Sequence, residues 1–167
     1  MGRVYWITGL SGAGKTTVGT SLYDHLRRQK DNVVFLDGDI LREVFQNTDY
    51  SYEARKTLGF QYARLCKLLS DQGMDIVICA IVMFDEIREW NRENFSDYME
   101  IYLEVPMEEL QRRNQKKLYS QAAAGEVRNV VGMDLELELP KNPDLTIRNY
   151  GDTSVKEALK RILEHLS

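Results

Sequence analysis

Two cysteines in 167 residues, Cys66 and Cys79, are too few for a disulfide framework, and their spacing fits no metal site. Both sit in apolar stretches and read as buried thiols of a reducing compartment. Histidine is equally scarce. His25 and His165 have no cysteine or carboxylate at ligand spacing, so no metal role is expected of either. No apolar run approaches the ~20 residues that span a bilayer. Glycines interrupt the one apolar stretch near the N-terminus after Thr8, so no signal peptide is expected either. A basic excess is also missing. Lys and Arg number 22 against 26 Asp and Glu, a net charge of −4, which argues against nonspecific nucleic-acid binding but leaves room for a local basic pocket. Repeats, low-complexity tracts and linkers are absent. The expectation is a cytoplasmic, non-membrane protein of one domain spanning 1–167, long enough to bury a core without cross-links.

What the chain does have is alternation. Residues 3–8, 33–36, 75–80, 100–104 and 144–147 are short apolar runs, rich in β-branched and aromatic residues and bounded by Gly, Asp or Pro, and read as strands. Residues 15–30, 52–72, 84–98, 107–114 and 153–166 read as amphipathic helices; Leu58, Tyr62, Leu65 and Leu69 mark one apolar face. Apolar strands alternating with helices predict an α/β fold with a mostly parallel five-stranded sheet covered on both faces. Residues 115–142 have no clear period, and a stretch that long in a compact domain is more often a functional lid or loop than packing.

The first strand runs into Gly9-Leu10-Ser11-Gly12-Ala13-Gly14-Lys15-Thr16-Thr17, matching G-x-x-x-x-G-K-[ST] between a strand and a helix. Glycines let successive backbone N–H groups converge on one anion, and the helix N-terminus adds partial positive charge. Lys15 can reach the β- and γ-phosphates, and the Thr16 hydroxyl can ligate Mg²⁺. A chance match in a chain of this length is of the order of one in a hundred or less. ATP and Mg²⁺ are the expected ligands.

The second strand ends in Asp37-Gly38-Asp39, with Arg42 one turn later. Asp37 suits the Mg²⁺ ion or its water, and Asp39 suits orienting or deprotonating an acceptor hydroxyl. Either could instead cap the following helix. Arg42 and Arg55 are candidates for gripping anionic groups of the acceptor, and each reads equally as a solvated helix charge. Tyr5 and Trp6 read as core. The charges of residues 85–93 recur at three- and four-residue spacing, as on a solvated face, though Arg88 and Arg92 could serve an interface.

Taken together, GLSGAGKTT at 9–17, LDGD at 36–39 with Arg42, YLEVP at 102–106, KKLYSQAAAG at 116–125 and NPDLTI at 142–147 resemble the adenylylsulfate kinase family over nearly the whole chain. The resemblance implies a P-loop kinase, usually a homodimer, that moves the γ-phosphate of ATP to the ribose 3′-hydroxyl of a nucleotide. It implies Asp39 as the acceptor-side catalytic aspartate, Arg42 and Arg55 on the acceptor's phosphate, and a lid from Arg113 to about Val127. In that lid Arg113 and Lys116 would approach the nucleotide phosphates.

The departures gather on the acceptor side. Family members usually carry Phe-Ile-Ser-Pro after the third strand, where this chain has Ala80-Ile81-Val82-Met83. Val82 therefore cannot be the serine phosphorylated there, while Ile81 keeps its place in the acceptor pocket. The asparagine and paired arginines usual near Leu58, Phe60 and Gln61 are missing, and Asp-Pro-Tyr-Glu reads Asp134-Leu135-Glu136-Leu137. Of two rings that enclose the acceptor adenine in the family, Tyr50 stands at one position and Val130 at the other, with Phe84 and Trp90 as conceivable replacements. A stacking ring is worth roughly 1–3 kcal/mol per base. Some relatives phosphorylate cytidine diphosphoramidate for capsular polysaccharide synthesis, and a smaller pyrimidine with one stacking partner suits Tyr50 with Val130. That acceptor is the expected one; adenylylsulfate is the alternative, and an ATP-binding module without phosphoryl transfer is a third.

Overall fold

The computed structural model describes residues 1–167, apart from the side chain of Gln115. Five parallel strands, β1 (Val4–Thr8), β2 (Val33–Asp37), β3 (Asp75–Cys79), β4 (Tyr98–Glu104) and β5 (Leu145–Arg148), form one sheet in the order β2-β3-β1-β4-β5. The expected α/β fold is therefore borne out. Alternate residues of the central strands feed two cores. Val4, Trp6, Ile76 and Ile78 pack to one face, and Tyr5, Ile7, Val77 and Cys79 to the other. This two-sided burial is why these strands read as continuous apolar runs rather than alternating ones.

Helices α1 (Lys15–Arg27) and α7 (Val155–Leu166) cover one face, and α3 (Tyr52–Asp71) and α4 (Asp85–Asn94) the other. Gly59 lets α3 approach closely, since a Cβ there would lie 2.7 Å from the Ile87 side chain and 2.9 Å from Val82. Short helices α2 (Gly38–Val44), α5 (Met107–Arg113) and α6 (Leu118–Ala123) complete the chain; α2 follows directly on β2, and α6 lies within the stretch expected to be aperiodic.

Two boundaries differ for physical reasons. The helix expected over 84–98 stops at Asn94, because Phe95 turns extended, stacks on Tyr98 at 5.5 Å and meets Trp90 edge-on, so the chain reverses into β4. Asp144, expected inside the last strand, precedes it and accepts the Glu100 N–H at 2.7 Å.

The expected solvated face of α4 holds for Glu86, Glu89, Arg92 and Glu93, which are exposed, and is corrected at Arg88. Arg88 is only 7% exposed and points inward, pairing with Asp85 and donating to the Glu138 carbonyl, with Glu100 at 4.0 Å. Glu100, 1% exposed in mid-β4, also pairs with Arg92 at 3.2 Å. Burial raises its carboxyl above the ordinary range, and the two arginines pull it back. Three- and four-residue charge spacing cannot by itself separate a wet face from a buried pair.

Candidate active site

Three strand ends meet at one edge of the sheet. The chain leaves β1 into the phosphate loop, β2 into Asp37, and β3 into Ala80 and Ile81. The crossing from β3 to β4 passes to the far side of β1, which opens a crevice at the carboxyl ends of the strands, where open α/β sheets bind ligands. A cavity of about 450 Å³ fills it. Ser11, Gly12, Gly14, Lys15, Thr16 and Thr17 line its phosphate end; Arg42, Tyr50, Arg55, Ile81, Lys116 and Val130 line the other; Asp37 and Asp39 lie between. The site residues expected from the sequence are thus brought together, with four exceptions. Gly9, Leu10 and Ala13 support the loop from behind, and Arg113 is not among the described residues lining the cavity.

Gly12 and Gly14 take positive φ, 82° and 93°, which side-chain-bearing residues rarely adopt. Lys15 is half-buried, with Nζ donating to the Leu10 carbonyl at 2.9 Å. Loss of water lowers its ammonium from the ordinary 10.5 to about 8, against the pull of Asp39 and Asp37. The Thr16 hydroxyl donates to Asp37 Oδ2 at 2.7 Å, while Asp37 Oδ1 accepts the Asp39 N–H at 2.9 Å. Asp37 is therefore both the cap of α2 and a neighbour of Thr16, so capping the helix does not take it away from the phosphate loop. Hydroxyl and carboxylate oxygens are hard ligands of the kind Mg²⁺ takes, and the pair sits at the mouth of the loop. Asp39 is exposed and faces Lys116 Nζ at 3.3 Å.

At the acceptor end the Arg42 guanidinium lies 4.1 Å from the centre of the Tyr50 ring, and that of Arg55 lies 5.3 Å from it. Arg42 also donates to the Asn47 side chain and the Asp49 carbonyl, both at 2.8 Å. Arg55 donates to the Tyr50 carbonyl at 2.9 Å and to the Asn129 carbonyl at 2.8 Å. Burial, then the charge of Arg42, lowers the Arg55 guanidinium from its ordinary value. Asp134 accepts the N–H groups of Asn129 and Val130, which holds this wall in place and depresses its own carboxyl. Val130 is buried. Neither Phe84 nor Trp90 lines the cavity among the described residues: Phe84 is buried edge-on to Tyr52, and Trp90 packs on Phe95. Tyr50 is the exposed ring of this end; Tyr62 lies in the floor with its hydroxyl donated to the Gly38 carbonyl at 2.8 Å.

Arg113 reaches the phosphate loop from outside, donating to the Gly12 carbonyl at 3.0 Å and the Asn149 carbonyl at 2.8 Å. Between it and α6, Asn114, Lys116 and Lys117 all have positive φ.

Residues 1–148 match the family model described as adenylylsulphate kinase. The chain belongs to the adenylylsulphate kinase family. It is 40% identical over 164 residues to a cytidine diphosphoramidate kinase of Campylobacter jejuni, covering 98% of this chain and 96% of that one. It is 36% identical to an adenylyl-sulfate kinase of Deinococcus deserti, covering 99% and 91%. Its structure is similar to that of the Mycobacterium tuberculosis APS kinase in complex with AMPPNP and APS, with a TM-score of 0.90 and 30% identity over 99% and 97% of the two chains. As a member of this family the protein is an ATP-dependent kinase. No helix is long and apolar enough to cross a membrane.

Arg128 and Asn129, which line the cavity, escaped the sequence reading, and so did three further residues of this kinase site. Tyr62 reads as one more apolar position of α3. Tyr119 and Asn149, which touch the loop backbone, belong to no spacing pattern that separates them from ordinary packing residues.

Proposed function

We propose that this kinase transfers the γ-phosphate of ATP to the ribose 3′-hydroxyl of cytidine diphosphoramidate. The observation that carries the acceptor is the pairing of one exposed ring, Tyr50, with a buried aliphatic Val130 across an otherwise complete site. The 40% identity to a cytidine diphosphoramidate kinase supports the same reading.

In this reading the N–H groups of residues 9–17 cradle the polyphosphate and Lys15 neutralises charge on the transferring group. Thr16 and Asp37 would hold Mg²⁺, which would supply neutralisation of the polyphosphate's charge. Arg42 and Arg55 grip the acceptor's phosphate, Tyr50 stacks on its base, and Ile81 and Val130 close the pocket. As the 3′-oxygen bonds to phosphorus and ADP leaves, Asp39 takes the hydroxyl proton on a carboxylate oxygen. Residues 113–127 act as the lid, where Arg113 and Lys116 serve the nucleotide phosphates. Lys116 would leave Asp39 for them. A homodimer in the cytosol is the expected setting, and Ile40 and Val44, one turn apart and exposed on α2, offer an apolar face for it.

The test compares kcat/KM for cytidine diphosphoramidate and adenylylsulfate with ATP in excess. Preference for the cytidine acceptor supports the proposal; strong preference for adenylylsulfate overturns it in favour of the activity named for the other relatives.

A further inference from the structure

The carbonyl side of the phosphate loop is tied down as thoroughly as its N–H side is left open. The Leu10 carbonyl is satisfied within the loop, by Lys15 Nζ and the Ala13 N–H. The next three carbonyls are each taken by a different side chain from outside. The Tyr119 hydroxyl donates to the Ser11 carbonyl at 2.6 Å, Arg113 to that of Gly12 at 3.0 Å, and the Asn149 amide to that of Ala13 at 2.7 Å. Tyr119 comes from α6 and Asn149 from just beyond β5, so the loop is held from two flanks.

In a planar trans peptide the C=O and the following N–H point in opposite directions. Fixing the Ser11 carbonyl outward therefore aims the Gly12 N–H into the cavity, and fixing the Ala13 carbonyl does the same for Gly14. These are the two glycines that line the phosphate end with positive φ. The fit is close on the Asn149 side, where a Cβ on Gly14 would lie 2.5 Å from the Asn149 amide nitrogen. Tyr119 is 2% exposed, and burial pushes its phenol up to about 12, so it stays a donor throughout the working pH range.

We propose that Tyr119 and Asn149 are positioning residues that pre-set the phosphate loop, holding its carbonyls outward so that the N–H groups of Gly12 and Gly14 face the nucleotide phosphates before ATP arrives. The inference rests on the reading that ATP binds in this loop. Neither side chain needs to touch ATP. Their effect is to remove an ordering cost that the polyphosphate would otherwise meet on binding.

Tyr119→Phe removes one hydroxyl and keeps the packing, and Asn149→Ala removes the second tie. The readouts are KM for ATP, the competitive inhibition constant of inorganic tripolyphosphate, KM for the acceptor, and Tm. The expected result for either variant is a rise of about three- to tenfold in both the ATP KM and the tripolyphosphate constant, as for loss of one hydrogen bond. The acceptor KM should stay within about twofold. Unchanged ATP and tripolyphosphate constants overturn the proposal, and so does an equal rise for ATP and acceptor together with a fall in Tm. A wild-type protein indifferent to ATP and tripolyphosphate would instead sink the underlying nucleotide assignment, which separates the two failures.

Discussion

The Arg42 guanidinium covers the ring of Tyr50, 4.1 Å from its centre, so the ring expected to receive a base already carries a cation on one face. A base stacked on Tyr50 must use the opposite face or displace the arginine, and either way the phosphate grip and the base platform are one unit. Tyr50→Ala and Arg42→Ala should each lower kcat/KM for cytidine diphosphoramidate and for adenylylsulfate alike, by about tenfold, with the ATP KM unchanged. The double variant should lose less than the product of the two, because each holds the other in place. Full additivity in a double-mutant cycle would show that the two act independently.

Val130→Phe tests the missing ring. It should move the ratio of kcat/KM for adenylylsulfate over cytidine diphosphoramidate upward by a factor of about five to a hundred, the range of one stacking contact. Val130 is buried in the core that holds Tyr5, Ile7, Val77 and Cys79, so the larger side chain should also cost about 1–3 kcal/mol of stability, read as a lower Tm. A lower Tm with no change of ratio refutes the stacking argument.

Lys15→Ala should abolish transfer to every acceptor in a variant that still folds. The wild-type lysine also makes a pH prediction. Its ammonium titrates at about 8 in the empty protein and is stabilised once polyphosphate arrives, so binding above that pH requires a proton to be taken up. The Kd for ATP should be near constant between about pH 7, where its terminal phosphate is ionised, and pH 8, and rise up to about tenfold per unit above that. Stability of the empty protein has the opposite sign. Between about 8 and the ordinary 10.5 the unfolded chain holds the extra proton, so this group's contribution increases with pH. Calorimetry in buffers of different ionisation enthalpy at pH 9 checks the uptake; no buffer dependence contradicts it.

Asp39→Asn should leave ATP binding near normal and lower transfer by about two orders of magnitude or more, as for loss of a general base. Collapse of ATP affinity with high residual turnover would place Asp39 in the metal site and make Asp37 the catalytic candidate.

Arg88→Met should destabilise the fold by about 1–3 kcal/mol, because the bonds to Asp85 and the Glu138 carbonyl are lost and buried Glu100 keeps only Arg92. Arg88→Met with Glu100→Gln should recover part of that loss in denaturant titration.

The sheet was legible because parallel strands buried on two faces leave runs such as VYWIT and DIVIC that no other element explains. The phosphate loop and the two aspartates were legible because their spacing is dictated by the shape of a phosphate. The bonds of Arg113 to the Gly12 and Asn149 carbonyls were not, since nothing in the order of residues tells which backbone oxygens a cation beside the loop will meet. Arg88 was hidden for a related reason: its partner Glu100 lies twelve positions on, across the gap between α4 and β4, and helix periodicity is blind to contacts outside the helix.

Asn114, Lys116 and Lys117 give the segment entering α6 an energetic asymmetry. Asn114 takes this conformation readily as the cap of α5, but Lys116 and Lys117 held at positive φ cost about 1 kcal/mol or more each. The Lys116–Asp39 pair that bridges the cavity is solvent-exposed on both sides and supplies too little to offset this. What keeps the segment in place is therefore the hydrogen bonding at its two ends, half-buried Arg113 to the Gly12 carbonyl and buried Tyr119 to that of Ser11. The middle is the part under tension, so residues 114–117 would give first when Arg113 exchanges the Gly12 carbonyl for phosphate.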